Sequence, residues 1–303
     1  MRIIISGFIL CLGFLILFAW QPQMVPWGKT PKSHLEFPGN GPLAFHTHPI
    51  WDTGKAEFAV YQSNFVKYGI SRKFETDVIL IREFFHPEKL VKADQSDTPG
   101  AIPVFKMNRI RSIETGVYSY HQNLSAFVHR SQPSKLVKLA SSSLDGCGMS
   151  YSEIRASASE LHGEFHSYWE KGISGRLNLG PSDRVIHDQL PLYLRAKDLS
   201  HYSGESIKLL GSLFSSYLRE LPVMEVQIQN LGIEDLSLSS TIHKAYHLRL
   251  EGKGINEDLW FRASPTQPLL RWNHSDGSSD TLRSLRYLYY WKYTGTGDRA
   301  KTL

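Results

Sequence analysis

The stretch KLASSSLDGCGMSY, Lys138 to Tyr151, sets Cys147 between Gly146 and Gly148. A thiol can act as a nucleophile when its pKa is lowered and a base, usually histidine, stands beside it. His121, His129, His162 and His166 are candidate bases, and a cysteine-dependent hydrolase or transferase would draw on Cys147 with His121. The flanking glycines could bare backbone N–H groups for an oxyanion or mark a tight turn. Two facts weigh against catalysis. The chain has 13 histidines, so one within reach is cheap, and no peptidase motif accompanies the cysteine. Free cysteine is among the most buried residue types, and the expectation is a small apolar thiol tucked under the fold. No catalytic residue is assigned, with Cys147 and His121 relevant only if the protein is an enzyme.

Other polar groups read as structural. His46 and His48 in FHTHP share a face if extended, but no third ligand stands at a telling spacing. His162 and His166 flank Glu164 on a polar strand face, yet four strand residues span about 13 Å, too far for one ion. SYSE, Ser150 to Glu153, has capping-box spacing. Asp276 and Asp280 in NHSDGSSD sit among turn residues and read as a hairpin loop, with too few oxygens in register for calcium. Phosphate loop, dinucleotide fingerprint and serine-hydrolase elbow are all missing, so no metal or cofactor is expected. The aromatic residues Tyr118, Tyr120, Tyr168, Trp169, Tyr287, Tyr289 and Trp291 are the candidate ligand-binding set, as a wall of rings with polar tips.

The elements that must position these residues are strands. AEFAVYQ places Ala56, Phe58 and Val60 on one face, and ELHGEFHSYWE sets Leu161, Phe165 and Trp169 against His162, Glu164 and His166. MEVQIQ and YHLRLE alternate more cleanly, as one-sided strands of antiparallel sheets do. RSLRYLYYWKY predicts one strand carrying Leu285, Tyr287, Tyr289, Trp291 and Tyr293 on a single face. Helix is scarce: SDRVIHDQL is the main candidate, with Pro191 stopping or kinking it, while ESIKLLGSLFSSYL reads as helix or as two strands around Gly211. EGKG and NHSDGSSD mark turns.

With 303 residues, 41% hydrophobic and 21% charged, the chain can bury an ordinary core. The net charge of +5 is interspersed rather than clustered, which excludes the basic face expected of a nucleic-acid binder. Ile3 to Trp20 is an uninterrupted apolar run behind Arg2, long for a signal peptide and short for a spanning helix, so retained anchor and cleaved signal both remain open. Beyond it only Cys147 is left, which rules out an intramolecular disulfide there.

Several segments resemble an uncharacterised family of exported bacterial proteins: WDTGKAE (51–57), KYG (67–69), VKAD (91–94), IETGVYSYH (113–121), SSSLDGCG (141–148) and SYWEKG (167–172). Some members of that family carry the name septum formation inhibitor. LASSS, Leu139 to Ser143, resembles the opening of the true nucleotide pyrophosphatases of that name, but Leu144, Asp145 and Gly146 follow where an arginine pair should hold phosphates, so that activity is rejected. The second half, from DQLPLYLRAKDL (188–199) to WFRASPTQPLLRW (260–272), is similar to periplasmic proteins of unknown function with a half-barrel like that of lipoprotein carriers. The resemblances imply an envelope location and β architecture.

The expected fold is mainly β: a large curved antiparallel sheet or partly closed barrel with few short helices, preceded by an N-terminal hydrophobic helix. Residues 1–20 are expected to be signal or anchor, 21–45 a Pro/Gly-rich linker, 46–295 the β-rich domain with a seam at 172–181, and 296–303 a tail. The expected role is a non-enzymatic envelope protein, membrane-anchored and facing the periplasm or released into it. It would bind a hydrophobic ligand, a lipid or a protein partner on its curved sheet, or serve as a purely structural or interaction module.

Overall fold

The structure, a computed structural model, describes residues 44–86 and 88–302. The Ile3–Trp20 run, and with it the expected N-terminal hydrophobic helix, lies outside the described residues, as does most of the 21–45 segment. Among the described residues no helix is long and apolar enough to cross a membrane.

The strands of the first half are β1 (Ala56–Lys67), β2 (Ile70–His86), the short β3 (Val91–Lys92), β4 (Ile102–Glu114), β5 (Ser119–His129), β6 (Leu136–Leu144), β7 (Met149–Ala156), β8 (Glu160–His166) and β9 (Gly175–Pro181). The second half holds β10 (Val185–Ile186), the short α-helix α1 (Leu190–Arg195), β11 (Gly204–Leu210), β12 (Val223–Leu238), β13 (Thr241–Gly252), β14 (Ile255–Arg262), β15 (Leu269–Asn273) and β16 (Ser279–Leu288). All join one large curved sheet in the order β10-β11-β12-β13-β14-β15-β16-β1-β2-β4-β5-β6-β7-β8-β9, with β3 beside β2. Every pairing is antiparallel except β10 with β11. The fold class expected from the alternation is therefore the one observed.

The sheet curves where strands carry an extra residue, which bends them and tightens their twist. Such bulges fall at Val60/Tyr61, Phe127/Val128, Glu160/His162, Asn230/Gly232 and Trp260/Phe261. Gly232 supplies the positive φ of +97° that its bulge requires. The strands β9 and β10, at opposite ends of the order, are joined by the turn 182–184, so the expected seam is an edge strand and its exit.

The concave side is filled by the chain that follows β10. Ile186, Leu192, Leu210, Leu213 and Phe214 pack with Phe105, Leu124, Leu139, Ile154 and Phe165 of the first-half strands. Val185, Leu190, Tyr193, Leu194 and Leu199 pack with Leu248, Leu259, Phe261 and Trp272 of the second. One short plug thus joins both halves of the core. Its anchor is a bidentate pair between Arg195 of α1 and Glu57 of β1, both contacts at 2.8 Å. Strand β1 is covered on both faces, because Ala56, Phe58 and Val60 form an outer cluster with Leu288 while Ala59 and Tyr61 point inward.

Three local expectations are corrected. SDRVIHDQL forms β10, a 3-10 turn over His187–Gln189, and the start of α1; Pro191 sits in the first turn of that helix, where a missing N–H costs nothing, and does not end it. Strand β16 stops at Leu288, and Tyr290–Lys292 turn as a 3-10 segment, so RSLRYLYYWKY does not carry a continuous aromatic face. SYSE lies within β7, and Glu153 is a buried carboxylate paired with Lys138 and Arg155 rather than a helix cap. Within the 296–303 segment, Asp298–Lys301 form a 3-10 turn, with Arg299 paired to Glu75 and Asp77 of β2.

Candidate functional site

A cleft of about 400 Å³ opens between the plug and the sheet, lined by residues of β1, β4, β14 and β16, by the 3-10 turn after β10, and by the 211–216 segment. Its walls mix apolar side chains, among them Phe65, Phe74, Ile113, Phe214 and Met224, with inward-facing charges. Strand β4 presents Arg109 and Arg111 at successive inward positions, between the buried Met107 and Ile113. Strand β14 presents Glu257 between Ile255 and Leu259, and β16 presents Asp280 opposite Ser63 of β1. The period-two alternation that packs the core elsewhere here aims charges inward.

One end of the cleft is a compensated network. Arg109 Nη2 donates to Asp280 Oδ2 at 3.0 Å, Ser63 Oγ donates to Asp280 Oδ1, and His274 Nε2 lies 3.2 Å from Asp280 Oδ2. His187 Nε2 lies 3.0 Å from both oxygens of Glu257, and Trp272 Nε1 donates to the same carboxylate at 2.7 Å. The imidazoles of His187 and His274 pack on the Trp272 indole, at 5.0 and 4.3 Å between ring centroids. Burial alone would raise the Glu257 carboxyl, but His187, His274 and Trp272 outweigh it and hold it down at about 2. Asp280 is likewise held below the usual carboxylate range, burial being overcome by His274, Arg109 and Ser63. Burial opposes charging His187, yet the Glu257 hydrogen bond and charge lift its pKa above the ordinary value.

The other end is a pair of cations with neutral partners. Arg111 Nε donates to Gln122 Oε1 at 2.8 Å and Nη2 to the Phe214 carbonyl at 2.9 Å. Its guanidinium stacks 3.8 Å from the Phe214 ring centroid and 5.0 Å from that of Phe65. Burial first, then the like charge of Arg109, lowers its pKa to about 9, and the aspartates that offset this act through space rather than by contact. Lys67 Nζ donates to Ser216 Oγ at 3.1 Å and sits 4.5 Å from the Tyr120 ring centroid. Burial lowers its pKa too. Across the cleft, buried Asp188 accepts from Ser212 Oγ and the Leu213 backbone N–H, each at 2.6 Å, which fixes the loop carrying Phe214 to the plug.

No family model matches the chain, and no curated protein does. The two resemblances read from the sequence thus find no family match. Among solved structures, a β-barrel-like protein of the domain of unknown function DUF1849 from Brucella abortus superposes with a TM-score of 0.48. It is 6% identical and covers 77% of this chain and 98% of its own.

Of the residues singled out from sequence, Tyr120 lines the cleft, where its hydroxyl bonds that of Tyr68. Tyr118 packs on Tyr120, with ring centroids 5.7 Å apart, and the rest are dispersed. Tyr118 and Tyr168 pack beside the β6–β7 turn, and Trp169 donates to the Ser216 carbonyl at 3.2 Å. Tyr287 bonds Glu57 and Thr266 beneath the plug, Tyr289 bonds the Thr53 carbonyl, and Trp291 packs on Tyr289 and Tyr290. They do not form one wall. Cys147 is exposed, which corrects the expectation of a buried thiol. The reason is local: Asp145 Oδ1 accepts from the N–H groups of Cys147 and Gly148, making a side-chain-closed turn that points residue 147 outward. A Cβ on Gly148 would lie 2.3 Å from the Tyr168 ring, so that glycine makes room for an aromatic. Among the described residues the thiol has no histidine partner; His121 Nδ1 lies instead 2.8 Å from Ser112 Oγ. Asp280 is also corrected, from hairpin loop to buried strand position, while Asp276 stays in the turn. His48 accepts from the Ile50 N–H at 3.2 Å and caps a turn.

Sequence reasoning missed Arg109, Arg111, His187, Glu257 and His274. The pattern Met107-x-Arg109-x-Arg111-x-Ile113 carried a signal, since apolar residues share a face with both arginines.

Proposed function

We propose that the chain is a non-enzymatic binding module of the cell envelope whose cleft takes a small anionic ligand. The observation that carries this reading is Arg111, a cation lining the cleft whose hydrogen-bond partners are an amide and a carbonyl. A guanidinium partly withdrawn from water without a carboxylate is costly unless an anion completes it, and its planar fork suits a carboxylate or phosphate. Lys67, whose ammonium donates to the Ser216 hydroxyl, adds a second positive charge at the same end. A hydrophobic ligand is less well supported, because the concave face is occupied by the plug, and a second cavity beneath it is only about 20 Å³. Placement at the envelope rests on the Ile3–Trp20 run and is tested by cell fractionation.

Isothermal titration of chelator-treated protein with inorganic phosphate and with succinate tests the ligand class. Saturable binding of at least one is expected, weakened roughly tenfold or more in Arg111→Gln and in Lys67→Met, as loss of a charge-assisted bond of about 1.5–3 kcal/mol implies. Binding of neither anion, or equal binding by Arg111→Gln, would overturn the proposal.

A further inference from the structure

We infer that His187, His274 and Glu257 form a binding site for a divalent transition ion of the zinc type. One donor atom from each lies within 4.8 Å of the others. A tetrahedral ion with bonds of 2.0–2.1 Å sets its ligands about 3.3 Å apart. The observed separations bracket that edge: His187 Nε2 is 3.0 Å from each Glu257 oxygen, and His274 Nδ1 is 3.9 Å from Glu257 Oε2. The remaining pair, His187 with His274, lies within 4.8 Å, so seating the ion draws the two imidazoles together.

The tautomer logic points the same way. His274 stands between two carboxylates, with Nε2 towards Asp280 and Nδ1 towards Glu257. An imidazole donating from Nε2 to Asp280 leaves Nδ1 aimed at the Glu257 carboxylate, so a cation held between those two groups would satisfy both. A carboxylate on the far nitrogen is also the usual outer partner of a metal-bound histidine, fixing its ring and raising its basicity. Trp272 holds the set together, since it donates to Glu257 and both imidazoles pack on its face. Two imidazoles and a carboxylate suit zinc better than calcium or magnesium, which prefer all-oxygen shells.

The three ligands leave the fourth position to the cleft. With one carboxylate in the shell and Arg109 and Arg111 lining the same cleft, that position favours an anion; this last assignment rests on the proposed anionic ligand, whereas the metal site does not.

The test uses the purified full-length chain, stripped with EDTA and titrated with zinc chloride against a chromogenic chelator, with metal content measured after dialysis. One zinc per chain is expected. His274→Gln and Glu257→Gln should weaken it roughly 100-fold or more, and Asp280→Asn about 10–100-fold through the outer partner. Zinc should raise the melting temperature of the wild type and not of His274→Gln, whose zinc-free circular dichroism shows whether it is folded. His162→Gln/His166→Gln, on an exposed face of β8, should bind as wild type. Sub-stoichiometric zinc on the wild type, an unchanged affinity in folded His274→Gln, or loss in His162→Gln/His166→Gln would each overturn the site. Zinc binding is read without any anionic ligand, so its failure is distinct from failure of the phosphate and succinate titrations.

Discussion

Replacing Arg195 with methionine is expected to destabilise the domain by about 3–5 kcal/mol, the cost of leaving a buried charge without its partner. The side chains of Arg195 and Glu57 are 5% and 6% exposed, so water cannot take over the lost contacts. Arg195 makes two 2.8 Å bonds to Glu57, donates from Nε and Nη2 to the Thr266 carbonyl at 2.9 and 2.6 Å, and covers the Phe45 ring at 4.4 Å. After substitution Glu57 keeps, among the described residues, the Tyr287 hydroxyl at 3.0 Å. At about 2 °C per kcal/mol for a domain of this size, the melting temperature should fall by roughly 6–10 °C. The control is Glu57→Leu combined with Arg195→Met. If desolvation of the orphaned charge is the cause, removing both charges should recover about half the loss or more, since apolar replacements of buried pairs are often near neutral. Urea unfolding of the two single variants and the double variant, at constant m-value, measures the coupling. A single-variant loss under about 1 kcal/mol, or strict additivity in the cycle, would refute the claim that this pair pins the plug to the sheet.

Two further predictions concern the other paired and unpaired groups. Cys147 should react with a thiol reagent in the native protein at a rate near that of the unfolded chain, and Cys147→Ser should change stability by no more than about 0.5 kcal/mol, as for an exposed side chain; slow labelling would contradict its exposure. Burial opposes ionisation of Glu153, but Lys138, Tyr151 and Arg155 outweigh it and depress its pKa below the ordinary 4.5. A depressed carboxylate contributes stability that is present above its unfolded pKa and lost as pH falls through the lower folded value. The deficit of Glu153→Gln against wild type, measured by denaturation, should therefore be full near about pH 7 and shrink below about pH 4; a deficit independent of pH would show that the carboxylate's charge is not what matters.

The sheet was legible because its signal is local. Val226 and Ile228, Leu248 and Leu250, and Leu161 and Phe165 each lie buried on alternate positions, as the two-residue period requires. The misses fall where tertiary contact overrides that period. Leu190 to Leu194 is short, apolar and buried, a pattern that periodicity alone assigns to strand or helix with equal ease. Tyr289 and Trp291 continue the alternation of β16 on paper, yet the chain turns at Tyr290 so that Tyr290 and Trp291 can cap the outer cluster of Phe58, Val60 and Ile81. Cys147 was misplaced because residue-type statistics favour burial, whereas the Asp145 turn decides its direction.

The cleft was illegible for a different reason. Asp280 reads as a turn residue and Glu257 as an ordinary polar position, and no neighbour in sequence reveals that either faces inward; Asp280 meets Arg109 across 171 positions, and His187 meets Glu257 across 70. The same fact argues for function. An inward strand position filled by an apolar side chain would stabilise a core at least as well as a desolvated ion pair does. Here Arg109, Arg111, Glu257 and Asp280 all take such positions around the open cleft, whereas Glu57, buried on β1, is matched by Arg195 under the plug. Departures from the otherwise consistent pattern of a fold gather where something other than stability sets the residues. In this chain they gather around the cleft, with a metal-ready triad at one end and two cations lacking carboxylate partners at the other.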